Sequence, residues 1–265
     1  MQSGQITIHG SKIYYETRGS GDPLVFVHAD ALDHRQWDKQ VEYFSDKYLV
    51  VTYDIRGFGK SEIPTDEPYS FSEDLALLMD HLQIDKAHLV GLSMGAAIII
   101  DFALSHQNRV MSLTLADPGI SGDGFSQDFK DGINKVIALA KENKLEEVKE
   151  TWKSLAIFET SRANPEVWAK VALMVADTSC YRWYGTNQPI NLSPLAAQRL
   201  DEIKVPTLVL VGEHDIADFQ RKAKLLHEKI GGSKLAAISN AGHLSNMDNP
   251  EKFNEELERF LDSNN

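Results

Sequence analysis

Gly91-Leu92-Ser93-Met94-Gly95 reads GLSMG, and it stands between Ala87-His88-Leu89-Val90 and Ala96-Ala97-Ile98-Ile99-Ile100. Ordinary glycine and serine usage makes a G-x-S-x-G match a chance event in roughly one chain of this length in ten. The surroundings give it meaning. The run before it is a short apolar strand, and the run after it is long enough for a helix. A serine between glycines at such a junction takes a sharp strand-to-helix turn, which lifts its hydroxyl to the carboxyl end of a sheet. It also sits at a helix N-terminus, whose free N–H groups favour developing negative charge.

The chain on either side repeats this arrangement. Residues 5–9 and 13–17 are short β-type runs around Gly10-Ser11, a hairpin signal. Leu24-Val25-Phe26-Val27 is apolar throughout, as strands buried on both faces are. Residues 34–46 carry Trp37, Val41 and Phe44 at helical spacing, and 48–53 form the next strand. Residues 71–82 place Leu75, Leu78, Met79 and Leu82 on one helical face. Residues 87–92 are a strand, 94–106 a helix and 110–116 a strand. This alternation predicts a mostly parallel sheet with helices on both sides and an antiparallel edge at the front.

After Asp117-Pro118-Gly119 the alternation stops. Residues 129–144, 145–158 and 165–176 each read as an amphipathic helix, with Asn164 as cap and Pro165 at the first position of the last. The alternation resumes with a strand at 206–211, a helix at 219–230, a strand at 234–238 and a helix at 250–261. The expected organisation is a core formed by residues 1–119 and 201–265, interrupted after the sixth strand by a helical cap at 120–200 that covers a site.

A serine at neutral pH needs a base to become a nucleophile, and the base needs a carboxylate to hold its tautomer. The expected places are the ends of later strands. The strand at 206–211 runs into Gly212-Glu213-His214-Asp215, and the strand at 234–238 is followed by Asn240-Ala241-Gly242-His243. Ser93, Asp215 and His243 are therefore the candidate nucleophile, acid and base. Asp117, ending the previous strand, and Asp218 are rival acids.

Two further motifs carry a resemblance. Asp54-Ile55-Arg56-Gly57-Phe58-Gly59-Lys60-Ser61 matches D-x-R-G-x-G-x-S, and residues 241–254 read AGHLSNMDNPEKFN. With these the chain resembles the α/β-hydrolase-fold proteins over its full length, in particular the 3-oxoadipate enol-lactonase and small-esterase group. The resemblance implies an eight-stranded, mostly parallel sheet with a helical cap. It implies a serine hydrolase that cleaves a small carboxylic ester or lactone through an acyl-enzyme, without cofactor or metal. The same triad also serves carbon–carbon bond hydrolysis, perhydrolysis or cleavage at proline, or survives in slow-turnover ligand-binding signalling proteins. The family places its oxyanion hole at the backbone N–H groups that correspond here to Met94 and Asp30. His28-Ala29-Asp30 departs from the family's usual H-G at this turn, and a carboxylate at Asp30 is expected to bear on substrate choice.

The remaining chemistry-bearing residues have plainer readings. His28 is expected to brace the oxyanion loop, and with Ala29, Trp152 and Trp183 it is a candidate for substrate contact. Phe158, Trp168 and Tyr184 are further candidates for an apolar wall. Phe58 is expected to approach the pocket. Asp54 and Arg56 are expected to form an internal ion pair. His34 with Asp30 and Asp33 fits no familiar metal-ligand spacing, and Asp33 reads as a helix cap. His214 reads as a surface loop residue.

Bulk properties agree. The 265 residues are 42% hydrophobic and 25% charged, with a net charge of −12, which disfavours nucleic acid and anionic membranes as partners. The single cysteine, Cys180, permits no internal disulfide and reads as a small buried side chain. The first residues resemble no signal peptide, and no run of 18 apolar residues occurs, so the expectation is a soluble cytoplasmic protein acting on a small molecule.

Overall fold

The computed structural model describes residues 2–264. Gln2–Ile8 (β1) and Ser11–Arg18 (β2) pair antiparallel. Their turn is His9-Gly10, one residue earlier than expected, with φ of 44° and 73°. Pro23–Val27 (β3) and Leu49–Tyr53 (β4) are parallel to each other, and β4 also closes onto β2 antiparallel. Ala87–Leu92 (β5), Val110–Ala116 (β6), Thr207–Gly212 (β7) and Lys234–Ile238 (β8) continue the parallel part. The eight strands lie in the order β1-β2-β4-β3-β5-β6-β7-β8.

Strand alternation divides the interior in two. Leu24 and Phe26 of β3 face one core, and Val25 and Val27 face the other. Asp38–Phe44 (α1) packs on the first face. Phe71–His81 (α2) and Met94–His106 (α3) cover the second. Ala217–Lys229 (α9) and Pro250–Asp262 (α11) flank β7 and β8, with Ser245–Asp248 (α10) leading into α11. A short 3₁₀ turn, His34–Trp37, replaces the front of the helix expected at 34–46, with Asp33 as its cap accepting from the Arg35 amide.

Between β6 and β7 the described residues hold only helical and irregular structure. Gln127–Lys141 (α4), Leu145–Lys153 (α5) and Pro165–Asp177 (α7) answer to the three expected helices, but α5 stops at Lys153 and a separate 3₁₀ turn, Ala156–Phe158, follows it. Asn164 caps α7 as its side chain accepts from the amides of Glu166 and Val167. Two short helices, Glu159–Ala163 (α6) and Tyr181–Tyr184 (α8), were not expected, since one turn or so leaves no periodicity to read. Val136, Val148, Val171 and Met174 of this block join the same apolar cluster as Phe26 and Trp37 of the sheet layer. Burial of that shared surface, at roughly 25 cal/mol per Å², holds the block in place over the strand ends. Polar ties add direction. Asp218 of α9 accepts from the Ser126 amide at 2.7 Å and hydroxyl at 2.6 Å. The fully buried Lys222 ammonium pairs with Asp123 and sits 4.2 Å from the centre of the Phe125 ring. Among the described residues no helix is long and apolar enough to cross a membrane.

Candidate active site

Ser93 occupies the turn between β5 and α3 with φ 56° and ψ −110°, a backbone conformation that costs a non-glycine residue of order 1–3 kcal/mol. Three backbone bonds hold it there. Its N–H donates to Ala116 O at 2.9 Å, and its carbonyl accepts from Gly119 at 2.9 Å and Ala97 at 3.2 Å. The glycines on either side permit the crowding. A Cβ on Gly91 would lie 2.4 Å from Gly95 O, and one on Gly95 would lie 2.1 Å from Val27 O. The strained turn thus rests on backbone contacts that only hydrogen at those positions allows.

The Ser93 hydroxyl lies 2.9 Å from His243 Nε2, and His243 Nδ1 lies 2.9 Å from Asp215 Oδ2. The carboxylate fixes the tautomer: Nδ1–H donates to Asp215, and Nε2 accepts from the serine. Asp215 is itself held by the Ile216 amide at 2.7 Å on its other oxygen. The imidazole packs against Phe219, with centroids 4.0 Å apart, and both His243 and Asp215 are buried. The loop that carries His243 is pinned by Asp248, which accepts from the Gly242 amide and from Ser161 of α6.

The rival acids are engaged elsewhere. Asp117 accepts from the Gly212 amide at 2.7 Å and from the Ser245 hydroxyl at 2.5 Å, which knits β6, β7 and α10 together. Burial, with the nearby charge of Asp215, pushes its carboxyl well above the usual range. Asp218 ties α9 to Ser126, as above. His214 is exposed.

A cavity of about 580 Å³ opens over Ser93 and His243. Ala29, Asp30, Met94 and Leu244 complete its base. Trp152, Phe158 and Trp183 form part of its wall, while Trp168 stacks behind Phe158 and Tyr184 faces outward. Phe125, Phe129, Ile133 and Ile137 supply more of the wall, with Phe219 beside His243. These five were not singled out from the sequence. The apolar stripe of α4 was visible there, but a stripe does not say which surface it faces. Lys130, Asn134 and Lys141 stand at the rim on the same helix, and Arg182 projects from α8.

Met94 is the first residue of α3, so its amide has no carbonyl partner within the helix. Asp30 borders the cavity from the loop after β3, and burial raises its carboxyl above the ordinary range while Arg182 draws it back. His28 does not reach the cavity, which removes it from the substrate-contact candidates. It is fully buried, donates from Nδ1 to Ala29 O at 2.8 Å and accepts at Nε2 from the Ile55 amide at 2.9 Å. Burial lowers its pKa, in keeping with a neutral ring that bridges the loops after β3 and β4. Phe58 packs edge-on against His28 at 5.6 Å and also stays outside the cavity.

The expected Asp54–Arg56 ion pair does not form. Asp54 Oδ1 accepts from the His34 amide and ring at 2.7 Å, and Oδ2 accepts from the Lys60 amide at 2.7 Å. Arg56 instead makes a buried two-pronged bond to Asp74 of α2, at 2.7 and 2.8 Å, and donates to Ile8 O. Asp33, His34 and Asp54 cluster closely enough to bracket an ion, but Asp33 is clasped by Arg35 and Asp54 by His34 and Lys60. Cys180 is buried, and burial pushes its thiol up to about 11, which leaves it unreactive.

A family model described as alpha/beta hydrolase fold matches residues 22–250. The 3-oxoadipate enol-lactonase 2 of Acinetobacter baylyi is 28% identical, over 97% of this chain and 95% of that protein. Among solved structures, a thermophilic esterase from Thermogutta terrifontis superposes with a TM-score of 0.82 at 27% identity, covering 99% of both chains. An esterase from Exiguobacterium antarcticum superposes with a TM-score of 0.81 at 26% identity, covering 96% of both.

Proposed function

Since the chain belongs to the α/β-hydrolase family, we propose that it cleaves small carboxylic esters or lactones, with Ser93 as nucleophile, His243 as base and Asp215 as orienting acid. The observation that carries this reading is the unbroken relay from Asp215 through His243 to Ser93, both links at 2.9 Å, at the base of an apolar cavity. The esterase and enol-lactonase names of its relatives support the substrate class.

Ser93 Oγ attacks the carbonyl carbon as His243 Nε2 takes the hydroxyl proton, and Asp215 stabilises the imidazolium. The negative charge that forms on the carbonyl oxygen falls to the amides of Met94 and Asp30. Each such donor contributes about 3 kcal/mol to the transition state. His243 then protonates the leaving oxygen, and the carbon–oxygen bond breaks to give the acyl-enzyme and an alcohol. For a lactone the alcohol stays attached to the acyl group. Water, deprotonated by His243, attacks the acyl carbon, and the proton returns to Ser93 as the acid leaves. Residues 1–119 and 201–265 serve as the core, and 120–200 as the cap that excludes water and shapes the acyl pocket.

A fluorophosphonate probe tests the nucleophile. The wild-type protein is expected to label with one equivalent, and Ser93→Ala is expected to remain unlabelled. Labelling of the variant at the wild-type level would refute the assignment. Turnover of aryl esters and enol-lactones by the wild type tests the substrate class.

A further inference from the structure

The three relay residues are held in different ways. Ser93 is fixed by backbone bonds to Ala97, Ala116 and Gly119, all outside the helical block between β6 and β7. The loops that carry Asp215 and His243 instead reach across to that block. Three residues after Asp215, Asp218 accepts from the Ser126 hydroxyl at 2.6 Å and the Ser126 amide at 2.7 Å. Five residues after His243, Asp248 accepts from the Ser161 hydroxyl at 2.7 Å. Its other oxygen accepts from the amide of Gly242, the residue before His243, at 2.9 Å. Each of the two loops thus has a carboxylate, close behind its relay residue in the chain, that takes a serine hydroxyl from the block.

Both serines stand next to the cavity wall. Phe125 precedes Ser126, and Ile157 and Phe158 lead into α6, whose third residue is Ser161. Ser161 is fully buried, and α6 lies so close to the histidine loop that a Cβ on Gly242 would come within 2.6 Å of Thr160 Oγ1. Phe125 meets Phe219 with ring centres 5.7 Å apart, and Phe219 packs on His243 at 4.0 Å. Apolar packing of this kind has no preferred direction. A hydroxyl bonded to a carboxylate is directional and about twice as strong as a neutral pair, so it fixes where the block sits against each loop. None of Ser126, Ser161, Asp218 and Asp248 lines the active-site cavity. Their influence on a reaction there passes through Asp215 and His243.

We propose that Ser126–Asp218 and Ser161–Asp248 are latches through which the helical block positions the acid and the base of the relay. The four are positioning residues, and the block aligns His243 on Ser93 as well as covering the cavity. The nucleophile belongs to the sheet layer alone, whereas its two partners are set from both sides. This inference rests on the serine-hydrolase reading above and adds to it a source for the alignment of the base.

The test removes both hydroxyls in the double variant Ser126→Ala/Ser161→Ala and follows steady-state hydrolysis of an aryl ester. Small misplacements of a catalytic group are costly, so kcat is expected to fall at least about tenfold, with a smaller change in KM. Lys170→Met is the comparison, because Lys170 ties the same block to Asp38 of α1 at 2.6 Å, away from both loops. Its loss of kcat is expected to be the smaller. A lesser fall in the double variant, a change in KM as large as that in kcat, or an equal loss in Lys170→Met would overturn the proposal. If the double variant does not melt cooperatively, Asp248→Asn is set against Asp248→Ala. The carboxamide oxygen still takes the Gly242 amide and its N–H₂ can donate to Ser161, so Asp248→Asn is expected to keep the higher kcat, and equal values would overturn the latch. Hydrogen exchange gives a readout independent of hydrolysis. In Ser161→Ala the amides of residues 240–248 are expected to exchange faster than in wild type, while those of Ala87–Leu92 keep their rate. No acceleration at 240–248, or equal acceleration in both segments, counts against the latch. If the wild type hydrolyses no ester, the ester reading fails on its own and exchange decides the latch.

Discussion

Replacing Asp215 with asparagine isolates the electrostatic part of the relay, because the substitution preserves shape. The carboxamide would keep an oxygen for the Ile216 amide, which the carboxylate now accepts at 2.7 Å. Its N–H₂ would then face His243 Nδ1, where the carboxylate oxygen lies at 2.9 Å. A donor at that position requires Nδ1 to accept, so the ring proton moves to Nε2, which faces Ser93 Oγ at 2.9 Å. The imidazole can no longer take the serine proton. Loss of the tautomer and of imidazolium stabilisation together cost a factor of about 10⁴ in kcat in comparable relays. That factor corresponds to about 5.5 kcal/mol of barrier. Fold stability is expected to move the other way. Asp117 is buried, and the charge of Asp215 is among the causes that raise its carboxyl. A raised carboxyl pKa destabilises the fold above the unfolded pKa, so removing the Asp215 charge should raise the thermal midpoint at neutral pH, or at the least not lower it. Steady-state hydrolysis of an aryl ester and a thermal melt on the same sample provide the check. A kcat within tenfold of wild type would refute the tautomer argument and transfer the role to Asp117. A collapsed melting midpoint would show that the loss is one of folding.

Three further outcomes follow from packing and charge. Gly95→Ala forces a Cβ to within 2.1 Å of Val27 O. It is expected to destabilise by at least about 1–3 kcal/mol in denaturant titration and to slow turnover, because β3 leads into the loop that carries Asp30. An unchanged denaturation midpoint would contradict the close approach. Arg56→Met leaves the Asp74 carboxylate buried without its partner. A loss of about 3–5 kcal/mol is expected at neutral pH, shrinking as acid protonates Asp74. A loss that does not depend on pH would point to packing alone. His34 is pulled down by burial, but Asp54, Asp33 and Glu16 together raise its pKa above the ordinary 6.5. Its stabilisation is therefore fully present below about pH 6.5 and lost as pH rises through the raised value. The midpoint difference between wild type and His34→Gln should be largest in mild acid and narrow in mild alkali, and a difference that widens with pH would reverse the sign.

Much of this molecule was legible in one dimension. Leu24–Val27 of β3 is a continuous apolar run, as strands buried on both faces are, and β4 and β5 are nearly so. GLSMG needed only its neighbours and two later strand ends to become specific. Other features depend on directions that spacing does not encode. Asp54 and Arg56 are two residues apart, yet one turns to His34 and the other to Asp74, so nearness in sequence pointed to the wrong partner. His28 lies in the right loop but faces inward to Ile55. Phe125, Phe129, Ile133 and Ile137 were recognisable as apolar, whereas their place with Trp152 and Trp183 around one cavity emerges only when α4 docks. Asp30 and Arg182 border the same cavity from the loop after β3 and from α8, an approach that depends on the whole insertion.

The relay also spans much of the chain. Ser93 and His243 are separated by 150 residues, and the histidine loop follows β8, the strand at the outer edge of the sheet. During synthesis the GLSMG segment leaves the ribosome long before His243 exists. On the proposed mechanism, the nascent chain therefore carries Ser93 without the group that would activate it. The same arrangement acts in reverse on heating. An edge strand is bonded on one side only, so local fraying of β8 can carry His243 away while the central strands persist. Loss of hydrolysis should thus precede loss of helical signal, which makes activity a more sensitive gauge of the native state than spectroscopy.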